Sequence, residues 1–297
     1  MPARRWINES SRRHPVRGCA ALVLLITLAW GCTSDGSDGD GGRSVGPSGD
    51  SWRATEVVDG DTLYVTGSFG ELEVRIIGIN TPELGECFSN EATEALEGLV
   101  DGVDLVLVAD RSDVDQFDRA LRYVETVDGV DVGAELVVGG FAIARRYPPD
   151  DARADRYARL QQEAQADRRG LWAADACGDS DLDGAEIGVE VNADAPGDDG
   201  ENPNGEWVRF ANNGAEAVDL DGWQVADESA SHRYTFSDLE LDPGETVTLF
   251  TGCGDDTDTE RFWCVSGSAV WNNSGDTVFL RDGNGNIVVT FAYGDSA

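Results

Sequence analysis

From Trp52 onward the chain alternates apolar and polar positions in short runs. ATEVVDG, DTLYVTG and ELEVRIIGI each carry the two-residue period of a strand and break at Gly or Asp. The pattern then lengthens to a helix over Ser89 to Val100, with Ser89 or Asn90 as its cap. Strands follow at Val103 to Val108 and Ala120 to Glu125. Asp131 caps a short helix ending at Gly139-Gly140, and a longer helix runs from about Asp151 to Arg169 and stops at Gly170. Five strands with three helices inserted between and after them predict a small closed β-barrel of the OB type. Past about Ala185 the text is strand and turn alone: EWVRFANNG, VDLDGWQVAD, HRYTF, ETVTLFTG, DTVFLRD and NIVVTFAYG, separated by Gly, Asn or Asp. That rhythm predicts an immunoglobulin-like antiparallel β-sandwich. Trp207, Trp223 and Trp271 read as its core and loop-packing residues.

The N-terminal pattern is of another kind. An Arg-rich start precedes the apolar run Cys19 to Trp30 and then Gly31-Cys32. The run is shorter than the roughly 20 apolar residues of a membrane span, and its layout is that of a signal peptide. Cys32 after a small residue resembles a lipobox, so residues 1–32 are expected to be a lipoprotein signal with Cys32 lipidated and the chain held at a membrane by that anchor. An ordinary secreted protein cut elsewhere is the alternative. Residues 33–51 are mostly Gly, Ser and Asp with almost nothing to bury, and read as a flexible tether. The expected organisation is then barrel domain 52–178, acidic linker 179–184 and sandwich 185–297. The linker, Asp179-Ser-Asp181-Leu-Asp183-Gly184 with Glu190, satisfies a calcium-loop spacing. No helices flank it, and Glu190 also belongs to the strand Ile187 to Val191, so an acidic linker is the preferred reading.

Charge narrows the function. Acidic residues number 57 against 22 basic ones, every basic residue is Arg, and the net charge is -35. The barrel segment alone holds 12 Arg and 26 acids, and the sandwich 4 Arg and 23 acids. A broad basic surface for nucleic acid is excluded, because counterion release needs cations close to phosphates; any such binding rests on a few local Arg residues. Besides Cys19 and Cys32 there remain Cys87, Cys177, Cys253 and Cys264, two per domain. In an exported chain they suggest disulfides Cys87–Cys177 and Cys253–Cys264, although the sequence permits two other connectivities.

Three polar groups stand out in the barrel. Asp59-Gly60-Asp61-Thr62 is, taken alone, a tight hairpin turn. Arg75 sits inside an apolar strand, where it must be paired or meet an anion, and Asn80-Thr81-Pro82-Glu83 gathers oxygens at that strand's exit. Asp115 to Tyr123 (DQFDRALRY) places acids and Arg119 ahead of another strand. Together they offer oxygen ligands for a hard cation, guanidinium forks for a phosphate and a carboxylate to take a proton from water. The segments VVDGDTLYV, VRIIGINTPE, DRALRYV, DVGAEL, EAQA and GLW, in this order, make the domain similar to the thermonuclease (staphylococcal nuclease) family.

The resemblance implies a calcium-dependent nuclease acting on DNA or RNA and leaving 3′-phosphates. It implies calcium at Asp61, Asn80 and the Thr81 carbonyl, Glu83 as the carboxylate that orients or deprotonates water, and Arg75 and Arg119 on the scissile phosphate. Asn80 departs from the family's second aspartate and predicts weaker calcium binding. Phe117 replaces an aromatic hydroxyl, so stacking on substrate is kept but a hydrogen bond is lost, and Tyr147 takes the role of a later base-stacking tyrosine. VEVNADAPG, WVRFANNG, LDGWQVAD, LDPGETVTL and VWNNSGDTVFLRDGNG make the second domain similar to the lamin tail domain. It holds no catalytic constellation and reads as an accessory module for an unidentified ligand. The competing reading is a non-catalytic envelope protein built from a degenerate nuclease barrel, but Asp61, Arg75, Glu83 and Arg119 are all retained. The chain is expected to act as a monomer.

Overall fold

In a computed structural model the described residues are 51–180, 186–197, 200–229, 232–265 and 269–294. The signal peptide, Cys32, the tether and most of the acidic loop at 181–185 lie outside them. The first domain is built from β1 (Arg53–Val57), β2 (Thr62–Gly67), β3 (Gly70–Ile76), β4 (Ile79–Asn80), α1 (Ser89–Val100), β5 (Leu105–Val108), β6 (Ala120–Thr126), α2 (Val132–Gly139), β7 (Ile143–Ala144) and α3 (Ala154–Ala166). Five strands form a sheet in the order β1-β2-β3-β6-β5. Trp52 and Leu105 exchange backbone hydrogen bonds of 2.9 and 2.7 Å, which joins the two edges and closes the barrel. The alternation read from the sequence survives in detail: Leu63 and Val65 of β2 are buried, while Tyr64 between them turns out and donates to Glu73 at 3.1 Å. Leu96 and Val100 of α1, Leu136 of α2 and Tyr157 of α3 complete the core.

Helix ends differ in part from expectation. Asp131 caps α2 as predicted, accepting from the Ala134 amide at 3.1 Å. Neither Ser89 nor Asn90 caps α1. Phe88 holds the cap position in the left-handed region at φ 69° with no side-chain cap, and Ser89 is buried as the first helical residue. The Cys87 disulfide and apolar packing of Phe88, described below, hold the chain there in place of a polar cap. α3 is shorter than predicted at both ends: Arg153, at φ -110° and ψ 3°, and Arg168, at φ 52°, lie outside helical geometry.

The second domain comprises β8 (Ile187–Asn192), β9 (Trp207–Asn212), β10 (Val218–Asp219), β11 (Gln224–Ala226), β12 (Arg233–Thr235), β13 (Glu240–Leu241), β14 (Thr246–Phe250), β15 (Glu260–Phe262), β16 (Gly275–Arg281) and β17 (Ile287–Gly294). Two four-stranded sheets, β12-β11-β16-β17 and β15-β14-β9-β8, enclose Phe210, Val225, Leu249, Trp271 and Leu280, and β10 pairs with β13. Trp223 and Trp271 are buried as expected. Trp207 is not a core residue: it is half-buried at a strand start with the Arg209 guanidinium 4.6 Å over its ring. Glu190 lies in β8 and pairs with Arg209 across the ladder at 2.9 Å, in keeping with a strand residue. The disulfides are Cys87–Cys177 and Cys253–Cys264.

The described residues fall in one compact unit, and barrel and sandwich meet in a small apolar cluster. Ile143 and Leu171 pack there with Ala226 and Phe279, flanked by Phe88, Trp172 and Ile287.

Candidate active site

The site grows out of strand register. In the β2–β3 ladder Thr62 faces Arg75, and in the parallel β3–β6 ladder Arg75 faces Leu121. The start of β2, the end of β3 and the start of β6 therefore share one edge of the barrel. The turn before β2 is the hairpin the sequence suggests, closed by Val58 donating to the Thr62 carbonyl at 2.9 Å and by the Asp61 amide donating to Asp59 Oδ1 at 3.0 Å. It is also where polar contacts collect. A Cβ on Gly60 would come within 2.8 Å of the Thr81 side chain, so the glycine lets the β4 exit loop close onto Asp61.

Asp61 is 5% exposed and carries most of the network. Its Oδ2 accepts from the Thr81 amide at 3.0 Å and the Thr81 hydroxyl at 3.1 Å, and pairs with Arg75 Nη2 at 3.0 Å. Its Oδ1 accepts from Thr62 Oγ1 at 3.2 Å. Burial pushes the Asp61 carboxyl above its ordinary pKa, with Arg75 and the Thr81 hydrogen bonds opposing the shift and Asp59 adding to it. Arg75 answers the question its apolar strand posed: it is paired. The same Nη2 also donates to Asn80 Oδ1 at 3.0 Å, and the guanidinium binds the Ile76 and Ile79 carbonyls. Asp61 and Asn80 thus turn side-chain oxygens toward one cationic nitrogen.

Glu83 follows the buried Pro82 and is exposed. Its amide donates to Glu86 Oε2 at 3.0 Å, and Glu86 donates back to the Glu83 carbonyl at 2.9 Å. Arg119 sits just ahead of β6, but its Nε is turned to Asp115 Oδ2 at 2.7 Å and its guanidinium lies 5.6 Å from the Phe117 ring centre. Burial raises the Asp115 pKa, but hydrogen bonds from the Arg119 side chain and amide and the Phe117 amide outweigh it and hold the carboxyl below its ordinary value. Phe117 is 68% and Tyr147 62% exposed, large apolar surface that nothing covers in the described residues. Arg145 stacks over Tyr147 at 5.2 Å. Contacts therefore join Asp61, Arg75, Asn80 and Thr81 directly, while Arg119 reaches its own loop. Leu84, 67% exposed beside Glu83, was missed by sequence reasoning, and so were Glu86 and Arg233, whose part emerges only from the packing of the two domains.

The oxygens present, one carboxylate, one amide and backbone carbonyls, are the hard donors that calcium takes. Among the described residues no group of three or more His, Cys, Asp or Glu gathers into a metal cage. The donor set thus fits a hard cation held by few charges, with water to complete its shell.

The first domain is thus an OB barrel with a paired acid, amide and arginine at one strand edge, and the second is a β-sandwich. Residues 73–174 match the family described as Staphylococcal nuclease homologue, and residues 188–295 match the Lamin Tail Domain. The chain is 30% identical over 122 residues to an uncharacterized endonuclease of Escherichia coli O157:H7, covering 41% of this chain and 76% of that one. It is 28% identical over 158 residues to a thermonuclease of Staphylococcus intermedius, covering 51% and 92%, and 29% over 127 residues to a micrococcal nuclease of Shigella flexneri, covering 39% and 70%. The chain belongs to the staphylococcal nuclease homologue family, with a lamin tail domain following the nuclease domain.

Proposed function

We propose that the chain is an exported, calcium-dependent endonuclease that hydrolyses phosphodiester bonds of DNA or RNA to 3′-phosphates, with the lamin tail domain as an accessory module. The observation that carries this is the convergence of Asp61 and Asn80 oxygens on Arg75 Nη2, with Glu83 exposed three residues beyond Asn80. Calcium would be held by Asp61, Asn80 and the Thr81 carbonyl, and supplies positive charge opposite that developing on the phosphate. Glu83 takes a proton from the attacking water, a role its exposure permits. Arg75 and Arg119 present planar donors to the phosphate oxygens, each such donor being worth roughly 3 kcal/mol in transition-state charge stabilisation. Phe117 and Tyr147 offer ring faces to bases, contacts of about 1–3 kcal/mol each that suit any sequence.

Two disulfides support an oxidising compartment and hence export, with Cys32 as the candidate anchor. The test is cleavage of single- and double-stranded DNA and of RNA by the full chain, with calcium or a chelator, beside Glu83→Gln. We expect calcium-dependent cleavage whose kcat falls at least about a hundredfold in Glu83→Gln while KM changes little. Equal rates in the two proteins would remove Glu83 from the chemistry. No cleavage by folded protein with any divalent cation would favour the non-catalytic envelope protein.

A further inference from the structure

The loop from Glu83 to Phe88 links the candidate catalytic turn to α1, and the lamin tail domain holds it from outside. Glu86 is the intermediary. One of its carboxylate oxygens, Oε2, accepts the Glu83 amide at 3.0 Å. The other, Oε1, accepts both Nε and Nη2 of Arg233, each at 3.3 Å. Arg233 begins β12 of the sandwich, and its remaining Nη1 donates to the Ser229 and His232 carbonyls at 2.7 and 3.1 Å, which anchors the guanidinium in its own domain. With both oxygens used, the Glu86 side chain ties the sandwich to the backbone of the turn that carries Glu83.

One further tie acts on this loop and another on the strand just before it. Cys87 is bonded to Cys177, whose amide donates to Asn286 Oδ1 at 2.7 Å. Asn286 is itself fixed between β16 and β17 by Asp282, donating to it from its amide and side chain at 2.9 and 2.8 Å. On the other side, Asn80 pairs in the β4–β7 ladder with Ile143, and Ile143 packs against Ala226 and Phe279 of the sandwich. The cavity left at this junction, beside Asn80 to Pro82, is only about 20 Å³, room for about one water and not for a nucleotide. The junction is a packed support and not a second ligand site.

Charge placement agrees. The sandwich holds four Arg among 23 acids, and two of the four, Arg233 and Arg281, lie toward Glu86. Burial lowers the Arg281 pKa, and Glu86 opposes that fall. Two cations thus face a single acid that is only partly exposed, and charge strengthens the hydrogen bonds made to it.

We propose that the lamin tail domain is a working part of the nuclease site, and that Arg233, acting through Glu86, is the positioning residue that sets the Glu83 turn. The proposal rests on Glu83 being the proton acceptor. A loosened turn leaves substrate binding by the arginines and aromatics in place and misaims the carboxylate. Displacements of this kind cost up to about a hundredfold in rate.

The test uses the full chain with Arg233→Ala, Glu86→Ala, the double variant and Arg233→Lys, on DNA with calcium. Two readouts are taken: kcat and KM, and amide exchange in the 83–88 segment. We expect kcat to fall at least about tenfold in each single variant with KM little changed and thermal midpoints retained. The double variant should be no worse than the worse single one, the signature of two residues acting as one unit, and Arg233→Lys should recover part of the rate. Exchange at Glu83 and Glu86 should quicken in step. Unchanged exchange in Arg233→Ala overturns the proposal, as does quickened exchange with unchanged kcat in a cleaving wild type. A wild-type chain that cleaves nothing refutes the nuclease reading instead, and the exchange result then decides the positioning by itself.

Discussion

At the scale of single residues, the site is a negotiation over few charges. Arg75 serves Asp61 and Asn80 with one nitrogen, and both residues are the oxygens proposed for calcium. An amide brings a dipole where a carboxylate would bring a charge, so the cation is held with one negative charge fewer. In Asn80→Asp the calcium concentration at half-maximal activity is expected to fall several-fold, because a carboxylate attracts the ion by its full charge where the amide offers a dipole. A calcium titration of activity in both proteins checks this, and equal midpoints would show that Asn80 is not a ligand. Phe117 and Arg119 illustrate the same economy: the ring lies under the guanidinium, and Asp115 accepts from both amides and the Arg119 Nε. The loop is thereby organised ahead of any substrate.

At the scale of elements, the decisive joint is where α2 ends against the turn that follows α3. Gly140 closes α2 in the left-handed region at φ 75°, and a Cβ there would lie 2.1 Å from the Arg169 carbonyl oxygen. Gly170 meets Gly140 from the other side, and the Leu171 amide donates to the Gly140 carbonyl at 2.9 Å. Backbone here touches backbone, so no side-chain rotation relieves an added methyl. Gly140→Ala is expected to destabilise the fold by about 2–4 kcal/mol, read by chemical denaturation. A loss below 0.5 kcal/mol, the ordinary range of a surface change, would mean that the two turns separate without cost. This element-level fit also delivers Leu171 and Ile143 to the cluster that receives the sandwich.

At the scale of the whole molecule, the junction carries a titratable group that the proposed chemistry does not use. Glu228, after β11, has its carboxyl pushed up to about 7, chiefly by burial. The Thr277 hydroxyl, donating to it at 2.6 Å, and Arg145 of the barrel oppose the shift, while Asp276 and Asp227 add to it. A carboxyl that binds its proton more tightly in the folded state than in the unfolded one favours folding fully below its ordinary 4.5. That contribution is lost as pH rises through 7. Stability should therefore decline across this window, and Glu228→Gln should remove that part of the slope and stabilise the protein above pH 7 by about 1–3 kcal/mol. Parallel stability–pH curves for the two proteins would show that Glu228 titrates normally. In a chain of net charge -35, three cations, Arg145, Arg233 and Arg281, face acids of this junction.

What was legible in the sequence was whatever depends on neighbours along the chain. Strand alternation gave the buried and outward faces of β2, Asp131 announced its cap, and the family resemblance of the Asp61 hairpin and the Arg75 to Glu83 segment implied that they share a site. The Cys pairs followed once two domains were recognised, since each domain held two. The α1 cap failed because a disulfide and an apolar contact of Phe88, both remote in sequence, outweighed local capping preference. Arg233 and Glu86 are 147 positions apart, and nothing local marks either as more than a surface charge. Sequence by itself marked the two domains and the Asp59 to Thr62 turn, because periodicity and turn preference are local terms. Tertiary structure alone decided that the second domain grips the first beside that turn, because a contact between distant segments is set by the packing of whole faces.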